Sequence, residues 1–165
     1  MDSTLEATCI EAGRRLGYDL YVYRSRREID RLPASVREGF DHAAARGPAR
    51  EAPDRFTRKW LQLRTQAVVR GRSFDEQVTP LLLQKLDVAQ CPVTRVALTH
   101  GELKDSDWSV DRLNNDGGYA PNNLAVMSTR ANKAKGRRSF EEVQHLACLD
   151  APSEGLQPIE WLRMA

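Results

Sequence analysis

Between Trp108 and Gly136 the chain is patterned in a way that leaves few folds open. Trp108-Ser109-Val110-Asp111-Arg112 alternates apolar and polar residues and predicts a strand. It runs into Asn114-Asn115-Asp116-Gly117-Gly118-Tyr119-Ala120-Pro121-Asn122, a stretch too rich in Asn, Gly and Pro for regular structure. Leu124-Ala125-Val126-Met127 then predicts a second strand that pairs back on the first. Ser128 is a good N-cap for a helix through Thr129, Asn132 and Lys135, with Gly136 as its stop. The order is strand, long structured loop, strand, helix. Upstream, Cys91-Pro92-Val93-Thr94 to Leu98-Thr99 is short, β-rich and punctuated, and predicts an irregular hairpin.

The half before Cys91 reads as helical. Ser3 with Glu6 makes a capping-box pattern, after which Leu5, Cys9, Ala12 and Leu16 repeat at helical spacing, with Gly17 as the stop. Tyr18 to Tyr23 fits either a short strand or a continued helix. Pro33 opens a second helix with a buried stripe of Val36, Phe40 and Ala44, ended by Gly47-Pro48. A third spans about Asp54 to Val69, with Phe56, Trp60, Leu63 and Ala67 on one face and Arg55, Arg58 and Lys59 off it. Ser73 with Glu76 suggests another cap, and Pro80 must kink or restart that helix. After residue 138, Ser139 and Glu142 cap a helix carrying Val143, Leu146 and Ala147, ended by Pro152; Gly155 to Ala165 is a tail that Trp161 pins down. The expectation is an α+β protein in three segments: a helical region over 1–90, a ββα module over 91–138, and a terminal helix and tail over 139–165.

With 165 residues, 41% of them hydrophobic and 29% charged, the chain fits one good-sized domain or a small module with a helical extension. The longest apolar run, Leu81-Leu82-Leu83, is far too short to span a membrane. The N-terminus lacks a basic region followed by an apolar core, so a cytoplasmic location is the default expectation. Net charge is only +2, but the basic residues cluster. Arg46, Arg50, Arg55, Arg58, Lys59, Arg64, Arg70 and Arg72 face only Glu51 and Asp54, and Arg130, Lys133, Lys135, Arg137 and Arg138 include no acid. Such stripes either hold a phosphate backbone or form a solvated helix face. Cys9, Cys91 and Cys148 lie too far apart for a zinc knuckle, so reduced thiols are expected, with Cys9 and Cys148 in the core.

The run from Ser109 through Asp111-Arg112 and Asn114-Asn115-Asp116-Gly117-Gly118-Tyr119 to Asn123-Leu124 resembles the signature loop of phage and bacterial HNH (ββα-metal) endonucleases. So does Asn132-Lys133-Ala134-Lys135 after it. The likeness covers about residues 91–136, and no comparable likeness covers the helical half. It implies hydrolysis of DNA phosphodiester bonds with Mg²⁺ or Mn²⁺, zinc being disfavoured by the oxygen-rich ligand set. Asp111 matches the first metal ligand and Asn132 the second. Asn123 matches the central asparagine that braces the loop, and Lys135, on the face of Asn132, can hold phosphate. Gly117-Gly118 is expected to supply positive φ. The acidic and glycine positions are out of register with a calcium-binding EF-hand loop.

One position departs from the family. Arg112 stands where a catalytic histidine is usual, and a guanidinium does not act as a base near neutral pH. The metal or another residue can take over activation of water. His100, just before the first strand, is the obvious substitute, its ordinary reading being a loop histidine. Catalysis can also have been lost, leaving a nucleic-acid-binding module that grips phosphate through Arg112, Arg130, Lys133, Lys135, Arg137 and Arg138, with Arg55, Arg58 and Lys59 as a second patch. A third class is a scaffold whose helical half binds a protein partner.

Overall fold

The computed structural model describes residues 3–25, 29–48 and 52–165, with side chains from Glu6 onward in the first helix. Arg50, Glu51 and the side chains of the Ser3 and Leu5 pattern lie outside the described residues. The architecture is α+β and mostly helical, with a two-stranded antiparallel sheet. The chain forms two compact units, Met1–Gln84 and Lys85–Ala165.

In the first unit, α1 (Ser3–Val22) runs straight through Gly17 and absorbs Tyr18 to Val22 as helix. The expected stop at Gly17 is overturned by packing. A Cβ on Gly17 would lie 1.9 Å from the carbonyl oxygen of Val36, and one on Gly39 would lie 2.0 Å from that of Arg14. Glycine costs an interior helix position about 1 kcal/mol relative to alanine. Here it lets α1 and α2 (Ala34–Ala44) touch backbone to backbone. That approach buries Leu16, Leu20, Val36 and, from α3 (Arg55–Val69), Leu61 in one core. Each such side chain contributes roughly 1.5–3 kcal/mol on burial. Phe40 is only partly buried and Ala44 is exposed, so the α2 stripe is Val36, Gly39 and Ala43.

Asp54 caps α3, its side chain accepting from Thr57 N at 2.7 Å. The helix buries Leu61, Leu63, Thr65 and Ala67, while Phe56 and Trp60 remain half-exposed. Ser73 starts no helix. Asp75 instead closes a turn by accepting from Gln77 N, and the next helix, α4 (Pro80–Leu86), restarts at Pro80 behind Thr79. Proline suits a first helical position because its missing N–H would have had no partner there.

The second unit begins with the expected irregular hairpin, bridged at Gln90 and Ala97, with Cys91 N donating to Val96 O at 2.9 Å. Strands β1 (Trp108–Arg112) and β2 (Leu124–Ser128) pair antiparallel with Asp111 opposite Ala125. Helix α5 (Thr129–Lys135) follows directly, capped by Ser128 and closed by Gly136 at φ 53°. The Ser139–Glu142 capping box of α6 (Phe140–Ala147) forms as expected. That helix stops at Cys148, before Pro152. The tail contains a helix, α7 (Pro158–Met164), and Trp161 is fully buried in it. Cys91, Val93, Met127, Ala131, Ala134, Val143, Leu156 and Trp161 make one core, so α6 and α7 complete the module.

Cys9 and Cys148, expected in the core, are exposed, and Cys91 is the buried cysteine. Burial pushes the Cys91 thiol up, but N–H donors from Thr94 and Ser128 at 3.3 and 3.2 Å outweigh it and hold it below its ordinary value. Access governs reactivity before thiolate fraction does. A thiol reagent should therefore modify Cys9 and Cys148 rapidly in the folded protein and Cys91 only on unfolding; fast labelling at Cys91 would refute its placement.

Candidate functional site

Side chains alternate along a strand, so Ser109 and Asp111 share one face of β1, and Trp108, Val110 and Arg112 the other. Residues three apart on α5 likewise share a face, which places Asn132 and Lys135 together. The two faces meet in two rungs. Asn132 Nδ2 donates to Ser109 Oγ at 2.6 Å. Lys135 Nζ lies 2.9 Å from Asp111 Oδ2 and donates to the carbonyl oxygen of Arg112 at 2.9 Å.

The Asp111–Lys135 pair is buried, both side chains being 7% exposed. At that distance the two form a buried ion pair. Burial pushes the Asp111 carboxyl above the usual carboxylate range, against the opposing pull of the Lys135 ammonium and the Arg112 N–H.

Asn123 braces the loop with three contacts. Its Oδ1 accepts from Asn114 N at 2.7 Å, and its Nδ2 donates to the carbonyls of Asn114 and Gly118 at 3.0 and 2.8 Å. The role expected of Gly117-Gly118 differs from the one found. Neither is among the glycines with positive φ. Gly117 instead provides room, since a Cβ there would lie 2.9 Å from Asn123 Nδ2. Asn115, not singled out from sequence, clasps the loop to the end of α5 by donating to Arg138 O at 3.2 Å.

The Arg112 guanidinium and the His100 ring make their contacts elsewhere than with Asp111, although the Arg112 charge still acts on its carboxyl. The Arg112 guanidinium donates to Gly117 O at 2.6 Å and sits 5.2 Å over the Tyr119 ring, so it braces the loop from the opposite strand face. The His100 ring packs edge-on against Trp108 at 5.7 Å, with Nε2 4.0 Å from Asp87.

The basic clusters divide. Arg130 pairs with Glu160, Lys133 with Asp105 at 3.0 Å and Arg138 with Glu154 at 2.9 Å, while Arg137 is exposed. These acids lie 25 or more residues away in the chain in two cases, which hid them from a local reading of charge. In the first unit Arg58 is exposed and Lys59 half-buried, and Arg55 lies over its neighbour Phe56 at 4.6 Å. A groove of about 1230 Å³ also opens there, lined by Ala12, Arg15, Tyr18, Trp60, Arg64 and Val68 among others. Its charges are paired internally: Arg14 with Glu38, Arg15 with Glu11 and Glu76, Arg64 with Asp19.

Among the described residues no three His, Cys, Asp or Glu side chains gather as a metal cage. What the β1–α5 seam offers a cation is the Asp111 carboxylate and the Ser109 hydroxyl, and Asn132 adds its amide oxygen only by turning the amide, since its Nδ2 now faces Ser109. These are hard oxygen donors. Magnesium is commonly held by one or two carboxylates with substrate phosphate and water completing the shell, so the set fits Mg²⁺ or Mn²⁺ as a partial site. Asp111 already carries a cation, the Lys135 ammonium. No helix among the described residues is long and apolar enough to cross a membrane. Compared with protein-family models, curated proteins and solved structures, the chain matches none.

Proposed function

We propose that the β1–loop–β2–α5 unit cleaves nucleic-acid phosphodiester bonds by HNH-type chemistry, with Mg²⁺ or Mn²⁺ held by Asp111 and Asn132. The observation that carries the reading is the buried Asp111 carboxylate, which holds a cation, the Lys135 ammonium, at the seam of strand and helix. Buried carboxylates with raised pKa concentrate at functional sites. When bound, the metal supplies charge stabilisation on the scissile phosphate and the leaving oxygen. Lys135 adds a second positive charge in a desolvated setting, where it acts on developing phosphate charge most strongly. Asn123 and Arg112 hold the loop, and through it the end of β1. DNA as the substrate rests on the HNH resemblance of the loop.

A second reading is a nucleic-acid-binding module without turnover. One observation favours it: neither Arg112, whose guanidinium braces the loop, nor His100, packed on Trp108, is in place to take a proton from water at Asp111.

Nicking of supercoiled plasmid with Mg²⁺, Mn²⁺ or EDTA, beside Asp111→Asn checked for folding by circular dichroism, separates the readings. Cleavage is expected only with metal, and the variant should lose on the order of 100-fold or more. Cutting that survives EDTA or the substitution is a contaminant's and overturns the proposal. No cutting, with DNA binding that weakens steeply as salt rises, supports the second reading. Absence of both leaves the protein-interaction scaffold.

A further inference from the structure

We infer that Lys135 is the resident cation of the Asp111 site, and that a divalent ion and a phosphodiester replace it together, so the site takes metal only in company with nucleic acid. The inference rests on the reading of Asp111 and Asn132 as metal ligands given above, and adds a binding order to it.

The argument starts from volume. Lys135 Nζ is 2.9 Å from Asp111 Oδ2 and 2.9 Å from Arg112 O, with both side chains almost fully buried. Asn132 lies one turn earlier on the same helix and reaches the same strand face through Ser109. An ion bridging Asp111 and Asn132 would sit against the ammonium. Two cations at contact distance in a desolvated seam repel strongly, and one aspartate does not offset three positive charges. The ammonium must therefore withdraw when the metal arrives.

Withdrawal is feasible, because Lys135 ends α5 and its charge rides on a flexible four-carbon stem. Gly136 follows at φ 53°, so the helix ends there and only a side chain has to move. The cost is that a displaced ammonium loses its buried anion. A phosphodiester supplies a replacement: it accepts the ammonium and completes the metal's oxygen shell at once. Metal and phosphodiester then raise each other's affinity by the same factor. Metal alone meets the full opposition of Lys135.

Thermal unfolding of the full chain, followed by tryptophan fluorescence with and without Mn²⁺, tests this, since a ligand that binds the folded state raises Tm. Wild type should show no Mn²⁺-dependent rise alone and a clear one with a short DNA duplex. Lys135→Met keeps the stem without the charge, and should gain a Mn²⁺-dependent rise without DNA. Lys135→Arg keeps the charge and should behave as wild type. The wild-type comparison needs no variant, so it stands if Lys135→Met folds poorly. A Mn²⁺-dependent rise in wild type equal with and without duplex overturns the inference, as does a Lys135→Met protein that folds and ignores Mn²⁺. If metal-dependent, Asp111-dependent nicking persists beside either result, the inference fails and the nuclease reading stands. If Mn²⁺ shifts Tm in no protein under any condition and no nicking occurs, both fall.

Discussion

Valine at Gly17 is expected to destroy the packing of the first unit, at a cost of about 4 kcal/mol or more. The added Cβ would lie 1.9 Å from Val36 O and 2.7 Å from Phe40 N, and backbone atoms cannot rotate away as a side chain can. The helices must separate, and Leu16, Leu20, Val36 and Leu61 then lose the contacts that bury them. Small domains hold only about 5–15 kcal/mol of stability in total, so the loss should be visible as a collapsed midpoint in urea. Gly13→Ala is the contrast. Its Cβ meets the Ser35 hydroxyl at 2.1 Å, which can turn aside, and Ser35 Cβ at 2.9 Å, which needs only a slight shift, so a smaller loss of about 1–2 kcal/mol is expected. Equal losses at the two positions would refute backbone contact as the cause.

Alanine at Asn123 should be the most damaging single change to the loop. It removes one acceptor and two donor contacts, to Asn114 N, Asn114 O and Gly118 O. At about 1 kcal/mol for each hydrogen bond, the expected loss is about 3 kcal/mol in the melting of the second unit. The loop should also lose protection of its amides against hydrogen exchange, beginning at Asn114 and Leu113, whose N–H groups go to Asn123 Oδ1 and O. Any nicking activity should fall with it, since the loop follows Asp111 directly. Asn123→Asp keeps the acceptor for Asn114 N but sets a carboxylate oxygen against the carbonyls of Asn114 and Gly118, so it should do no better than alanine. An alanine variant that melts as wild type with unchanged exchange would mean that the loop holds itself.

Much of the second unit was legible because its determinants are local. Ser128, Ser139 and Gly136 announce helix ends within a turn of where they act. The alternation in residues 108–112 and 124–127 set both strands, and the turn-rich run between them left antiparallel pairing as the simple solution. Asn123 was expected to brace the loop only through the loop's resemblance to a known signature, a role that suits a side chain able both to accept and to donate. The errors fell where distant residues decide. Gly17 looks like a stop in sequence, and only the arrival of α2 makes it a contact point. Ser73 and Glu76 have the spacing of a cap, yet Asp75 takes the turn first. Cys9 and Cys148 fit helical stripes, but which stripe is buried depends on the helices packed against them.

The strand, loop, strand and helix of residues 108–136 were thus written in the sequence, since alternation, turn residues and caps act over a few residues and need no partner. The tertiary structure alone decided what Asp111 faces. Its partner is Lys135 on the helix, brought there by strand pairing and the packing of α5, while the alternation of β1 turned Arg112 to the other face and His100 packed against Trp108. A carboxylate's chemistry is set by the charges and solvent around it, and those are known only once the chain has closed over it.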